Sequence, residues 1–150
     1  MKIEDEIKQP RFRDVYQRVT VNILFTANWL VGRQQDFFKP FGITTQQFNI
    51  LRILRGQHPN AISGVEIKTR MIDRNSDISR LLDRLVKKDL ISKCQSENDK
   101  RAANVSITAK GLDLLHSIDD KFVEAEKGHF AGLSEAEATQ LSQLLDKARG

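Results

Sequence analysis

The residues most able to do chemistry lie between positions 73 and 108. Projected at 100° per residue, positions 73–88 gather Ile78, Leu81, Leu82, Leu85 and Val86 on one side. The other side carries Ser76, Asp77, Arg80, Arg84 and Lys87. Ser76, Arg80, Arg84 and Lys87 follow one another at four- and three-residue steps, so they form a single stripe. A helix fits the major groove of duplex DNA, and arginine reads guanine there through two parallel hydrogen bonds. Asp77 would accept from cytosine or orient a neighbouring arginine. The competing reading is a solvated amphipathic face with charge pairs four residues apart. A second basic group, Asn98-Asp99-Lys100-Arg101, lies between two strand-like segments. An extended basic tip can reach a minor groove, whose narrow width concentrates negative potential and attracts arginine. Asp99 would hold Arg101 by an ion pair; the competing reading is a solvated turn. Taken together, stripe and tip suit one double-stranded DNA partner.

Little else suggests reactivity. His58, His116 and His129 have no Cys or carboxylate partner at a metal-ligand spacing beyond the weak Glu126/His129 pair, three residues apart. There is no phosphate-cradling glycine loop and no nucleophile motif, so neither an enzyme nor a cofactor is expected. The one cysteine, Cys94, excludes an internal disulfide and points to a reducing, cytoplasmic setting. Lys93 beside it could lower the thiol pKa, but an inert small residue is the preferred reading.

Composition sets the class. The 150 residues are 39% hydrophobic and 29% charged, as in globular proteins, with a net charge of +4. Residues 68–101 hold ten Lys or Arg against six Asp or Glu, whereas residues 111–150 hold four against eight. The middle of the chain is basic and the C-terminal arm acidic. The opening MKIEDEIKQP lacks the apolar core of a secretory signal. The apolar-rich run 19–31 is interrupted by Thr20, Asn22, Thr26 and Asn28, so no membrane partner is expected.

The elements that must position these residues are legible from periodicity. Residues 11–38 read as one long helix, with Phe12, Tyr16, Val19, Ile23, Ala27 and Leu30 on one stripe and Leu24, Val31 and Phe38 on a second. Two stripes suggest burial on more than one side, as in a helix shared between subunits. Pro40 and Gly42 end it. Three capping boxes follow: Thr44/Gln47, Ser63/Glu66 and Ser134/Glu137. They open a helix running to Gly56, a short helix ending near Met71, and the last helix. Between the second and third boxes, 74–88 forms a helix, with Asp89 at a left-handed stop. Segments 91–96 and 103–108 form two short strands, and Thr108 caps a further helix. The expected fold is mainly α with a small β-hairpin wing (α+β). It comprises an N-terminal helix (1–43), a winged helix-turn-helix (44–108) and C-terminal helices (109–150).

The stretch DKRAANVSITAKG at 99–111 resembles the wing signature of the MarR family through Asp99, Arg101, Val105, Ile107, Thr108, Lys110 and Gly111. SDISRLLDRLVKKDLI at 76–91 is similar to that family's recognition helix, and TTQQFNILRIL at 44–54 to the helix before it. The resemblance implies a homodimer whose terminal helices intertwine and whose two winged modules bind a palindromic site, most commonly as a repressor. It implies that Arg101 enters a minor groove and that Arg74, Asn75, Ser76, Asp77, Ser79, Arg80 and Arg84 lie at or near the major groove. Lys87, on the same stripe, and Asp99 and Lys100, at the tip, complete the expected DNA-binding set. It further implies release by a small aromatic or phenolic ligand between arms and winged domain, where Tyr16, Phe25, Trp29, Phe37, Phe38 and Phe41 lie and Arg33 would meet a carboxylate. Ordinary core or interface packing is the competing reading for these aromatics. Asp89 departs from the family's usual glycine. The alternative function is a winged-helix protein-interaction module without DNA specificity, which would need an apolar outer face on helix 74–88.

Overall fold

The computed structural model describes residues 1–95 and 103–150, which cluster as two compact units, Met1–Thr45 and Gln46–Gly150. The expected tip residues Asp99, Lys100 and Arg101 lie outside the described residues.

The first unit opens with a single helical turn, α1 (Ile3–Glu6), whose Ile3 is buried. The Glu4 carboxylate receives the Arg18 guanidinium at 2.6 Å and ties this turn to the long helix α2 (Val15–Phe38). That helix starts four residues later than its periodicity suggests. Asp14 stands extended before it and accepts from the Gln17 N–H at 2.8 Å, while the Gln17 side chain accepts from the Arg13 N–H. The Asp14 carboxylate, which also holds Arg13 Nε at 2.8 Å, thereby satisfies a first-turn N–H that has no acceptor within the helix. A 3₁₀ turn, Lys39–Phe41, follows and carries Pro40. Gly42 then takes φ 71°, a left-handed conformation in which glycine has no Cβ penalty. Of all the residues in α2, only Phe38 is buried; Val15, Tyr16, Val19, Ile23, Leu24, Trp29 and Val31 are exposed. Most of both apolar stripes is therefore exposed on the single chain, with Phe38 buried and Phe12 and Leu30 half-buried.

The second unit holds the winged module. Helix α3 (Thr45–Gln57) buries Phe48, Ile50, Leu51 and Leu54. Gly56 lies inside this helix and does not stop it. A two-residue strand, β1 (Ile62–Ser63), leads into α4 (Gly64–Arg70), which Ser63 caps by accepting from the Glu66 N–H. Helix α5 (Ile78–Lys87) begins after the Asp77 cap, and Asp89 beyond it has φ 59°, the left-handed stop expected there. Strands β2 (Ile91–Gln95) and β3 (Ala103–Ile107) pair antiparallel, with Ile91 opposite Ile107 and Lys93 opposite Val105. β1 pairs with β3 on its other edge through Ile62 and Val105, giving the order β1-β3-β2. The sheet thus has one strand more than the expected hairpin. At two residues, β1 is too short to show a period of two.

Helix α6 (Ala109–His129) follows Thr108, and α7 (Glu135–Arg149) follows Ser134 with the complete reciprocal capping box. Ile50, Leu51, Leu54, Ile67, Leu85, Val105, Leu115 and Ile118 form the fully buried core, drawn from α3 to α6 and the sheet. Burying each such side chain contributes about 1.5–3 kcal/mol. Phe48 of α3 meets Phe122 of α6 edge to face, with 5.0 Å between centroids. In contrast, α7 buries no residue at all, although it carries Leu141 and Leu144 on its surface.

Candidate nucleic-acid interface

The candidate site is the outer face of α5 with the strands beside it. Ile78, Leu82 and Leu85 are buried and anchor the helix to the core. Their spacing turns Ser79, Arg80, Asp83, Arg84 and Lys87 outward, and all five are exposed. Arg80, Arg84 and Lys87 form no close ion pair among the described residues, although Lys87 acts on the Asp83 carboxylate from farther off. Arg84 and Lys87 also stand in the last turn, where cations complement the helix dipole.

Arg74 and Asn75 are exposed in the turn before α5, and Asp73 Oδ1 accepts from the Asn75 N–H at 2.9 Å. The Asn49 side chain accepts from the Ile72 N–H at 2.9 Å and pins the start of that turn to α3. Two residues in the expected set have different surroundings from those their spacing implies. The helix begins at Ile78, not at 74, because the Asp77 carboxylate accepts from the Arg80 N–H at 3.2 Å and caps it. Asp77 thus caps the helix through Oδ1, and its carboxylate stays exposed. Ser76 lies before the cap, outside the helix itself, and is 9% exposed. It belongs to the core, not to the outer stripe. A groove of about 660 Å³ runs between the starts of α4 and α5 and the sheet edge, bordered by Val65, Lys68, Asn75, Ser79 and Lys93.

Three contacts lock the sheet and α6 against α5. Thr108 caps α6 by accepting from the Gly111 N–H at 3.1 Å, and its hydroxyl donates to the Asp89 carbonyl at 2.6 Å. Lys110 Nζ donates to the Lys88 carbonyl at 3.0 Å, at the negative end of α5. Gly111 packs so tightly that a Cβ there would lie 2.3 Å from the Leu90 carbonyl oxygen. These are the Thr, Lys and Gly of the 99–111 signature, and each has a mechanical role. A further contact, between β2 and α5, is Lys93 Nζ on Asp83 Oδ1 at 2.6 Å, which holds the Asp83 carboxyl below its usual value. Periodicity gives Asp83 and Lys93 no such role. The available signal is that Asp83 is the lone acid within α5. Cys94 is exposed on β2, with Lys93 directed to Asp83.

In the first unit, Arg33 stacks over the Trp29 ring at 5.7 Å, and Phe37 packs on Phe38 and Phe41 with centroid distances of 5.1 and 5.6 Å. Tyr16 is exposed, Phe25 and Phe41 are half-buried, and Phe38 is completely buried. Full burial makes Phe38 a packing residue and removes it from any open ligand surface. Among the described residues, no group of three His, Cys, Asp or Glu could hold a metal, and no helix is long and apolar enough to cross a membrane.

Helices α3 to α5 followed by β2 and β3 define a winged helix-turn-helix. The model of the MarR family matches residues 43–103. The uncharacterized HTH-type transcriptional regulator YpoP of Bacillus subtilis is 30% identical over 105 residues, covering 70% of this chain and 73% of its own. The HTH-type transcriptional repressor IacR of Pseudomonas putida is 26% identical over 142 residues, covering 95% and 80%. The chain belongs to the MarR family and is a winged-helix transcriptional regulator, not an enzyme. Among solved structures, a MarR transcription factor from Planctomyces limnophilus superposes with a TM-score of 0.72 at 26% identity, over 91% of this chain and 98% of that one. Staphylococcus aureus MepR, solved with DNA, gives 0.76 at 23% identity over 92% and 97%. Bordetella bronchiseptica BpsR, whose DNA binding is regulated by 6-hydroxynicotinic acid, gives 0.74 at 23% over 87% and 99%. The last two likenesses are of fold.

Proposed function

We propose that the protein is a repressor that binds a palindromic operator in double-stranded DNA as a homodimer. The observation that carries this reading is the exposed stripe Arg80, Arg84 and Lys87, with no close ion pair among the described residues, on a helix whose opposite face is buried. A protein-docking helix would expose apolar side chains there instead. In this reading Ser79, Arg80 and Arg84 enter the major groove, Arg74, Asn75 and Lys87 meet its edges, and Lys100 and Arg101 reach the adjoining minor groove beside Asp99. Residues 44–108 form the DNA-binding module.

Residues 1–43 and 109–150 are proposed as the dimerisation arms. The support is the apolar surface left open on α2 and on α7, a 15-residue helix with nothing buried. Exposed apolar stripes of that extent mark an interaction surface. Two modules on one frame raise affinity through effective concentration and set half-sites about one helical turn apart. An aromatic or phenolic effector near Tyr16, Phe25, Trp29, Arg33 and Phe41 is the proposed releasing signal, supported by the half-open aromatic group and its cation.

A gel shift with the DNA upstream of the protein's own gene tests the reading. The expected result is a discrete complex that unlabelled specific DNA displaces and scrambled DNA does not. Equal displacement by both sequences would refute sequence-specific repression and favour non-specific binding.

A further inference from the structure

We propose that Lys93 is a positioning residue for DNA recognition: it masks the single acid of α5 and so keeps that helix's own cations free for nucleic acid. The inference rests on the reading of α5 as the DNA-facing helix.

Within α5, Asp83 is three residues after Arg80 and four before Lys87. Both spacings are those at which a carboxylate and a cation on one helix normally meet. Neither pair forms. The carboxylate is taken instead by Lys93, which reaches across from β2 to 2.6 Å. Arg80, Arg84 and Lys87 consequently form no close ion pair among the described residues.

Two consequences follow from Coulomb's law. A bare carboxylate beside the stripe would repel phosphates and lower the local positive potential. Without Lys93 it would also recruit Arg80 or Lys87, turning a base-reading or phosphate-reading group into one side of an intrahelical pair. Lys93 prevents both from outside the helix. Because it stands opposite Val105 in the sheet, the same bond also joins the wing's first strand to α5. It thereby relates the two elements that must meet one duplex.

The test is a double-mutant cycle on operator affinity with Asp83→Asn, Lys93→Met and the double variant. Lys93→Arg serves as the charge-retaining control, and melting curves verify folding of each. Lys93→Met should weaken binding about two- to fivefold, the range for an exposed ion pair expressed as affinity. Asp83→Asn should bind as tightly as wild type or slightly tighter, and should restore most of the affinity lost in Lys93→Met. Lys93→Arg should bind like wild type. The slope of log affinity against log salt should be the same in the double variant as in wild type, because Lys93 itself touches no phosphate. A Lys93→Met loss of equal size in both backgrounds, with the slope reduced by about one, would overturn the proposal and make Lys93 an ordinary phosphate contact. Failure of wild type to bind DNA selectively would instead overturn the functional reading on which it rests.

Discussion

Replacing Gly111 with alanine puts two local effects in opposition. Alanine is favoured over glycine by about 1 kcal/mol in a helix interior, an upper limit for Gly111 in the first turn of α6. The added methyl, however, would stand 2.3 Å from the Leu90 carbonyl oxygen and 2.7 Å from Ile107 Cγ1, where ordinary contact is 3.4–4 Å. Relief takes roughly 1 Å of displacement, a shift typical of overpacked sites that lose about 1–3 kcal/mol. Neither side yields easily. The Leu90 carbonyl accepts the Thr108 N–H at 3.1 Å, and Thr108 is held in turn by Asp89 at 2.6 Å. Breaking the Leu90 bond costs about 1 kcal/mol more. The net expectation for Gly111→Ala is a loss of about 1–3 kcal/mol, because the clash and the broken bond outweigh the propensity gain. For a chain of this size that lowers the melting temperature by roughly 2–12 °C. Thermal unfolding followed by circular dichroism at one fixed protein concentration measures it, since association would make the midpoint concentration-dependent. An unchanged or raised midpoint would refute the close approach of α6 to the end of α5.

Other perturbations probe separate links. Asp77→Ala should cost about 1 kcal/mol through the lost cap of α5 and speed amide exchange in its first turn; exchange unchanged at Ser79 and Arg80 would remove the capping role. The Arg55 guanidinium donates to both Asp119 oxygens at 2.8 and 3.0 Å and holds that carboxyl below its ordinary value. A depressed folded pKa gives stability that is present above the unfolded pKa of about 3.9 and lost as pH falls through the folded pKa. Asp119→Asn should therefore flatten the acid limb of a stability–pH profile. At neutral pH it should cost at most about 1 kcal/mol, because the pair is partly solvated. An acid limb identical to wild type would contradict the pairing. Leu144→Glu on α7 should shift sedimentation from dimer to monomer; a dimer that persists would exclude α7 from the interface.

Much of this architecture was open to reading because it is written locally. The amphipathic face of α5, the Thr108 and Ser134 caps and the left-handed Asp89 depend on neighbours within a few residues. Features that depend on distant partners were not legible. β1 exists only because β3 passes beside Ile62 and Ser63. Ser76 looks like part of the stripe on a helical projection, yet the helix starts two residues after it and leaves it buried. Asp77 has a carboxylate suited to a base edge, but the nearest unsatisfied donor is the Arg80 N–H. Gly56 has the right type for a helix stop, but α3 continues through it. The Asp83–Lys93 bond crosses from helix to strand, which no periodicity reports. Phe38 shares the spacing of its exposed neighbours on α2 and differs only in being buried.

The most direct measurement is fluorescence-anisotropy titration of the upstream DNA over a range of salt concentrations, with wild type and Arg84→Ala side by side. The account predicts a steep loss of affinity with salt for wild type. It also predicts about 1–3 kcal/mol weaker binding for Arg84→Ala, with relaxed discrimination at one base pair in each half-site. Equal affinity of the two proteins would contradict the assignment of α5 as the reading helix.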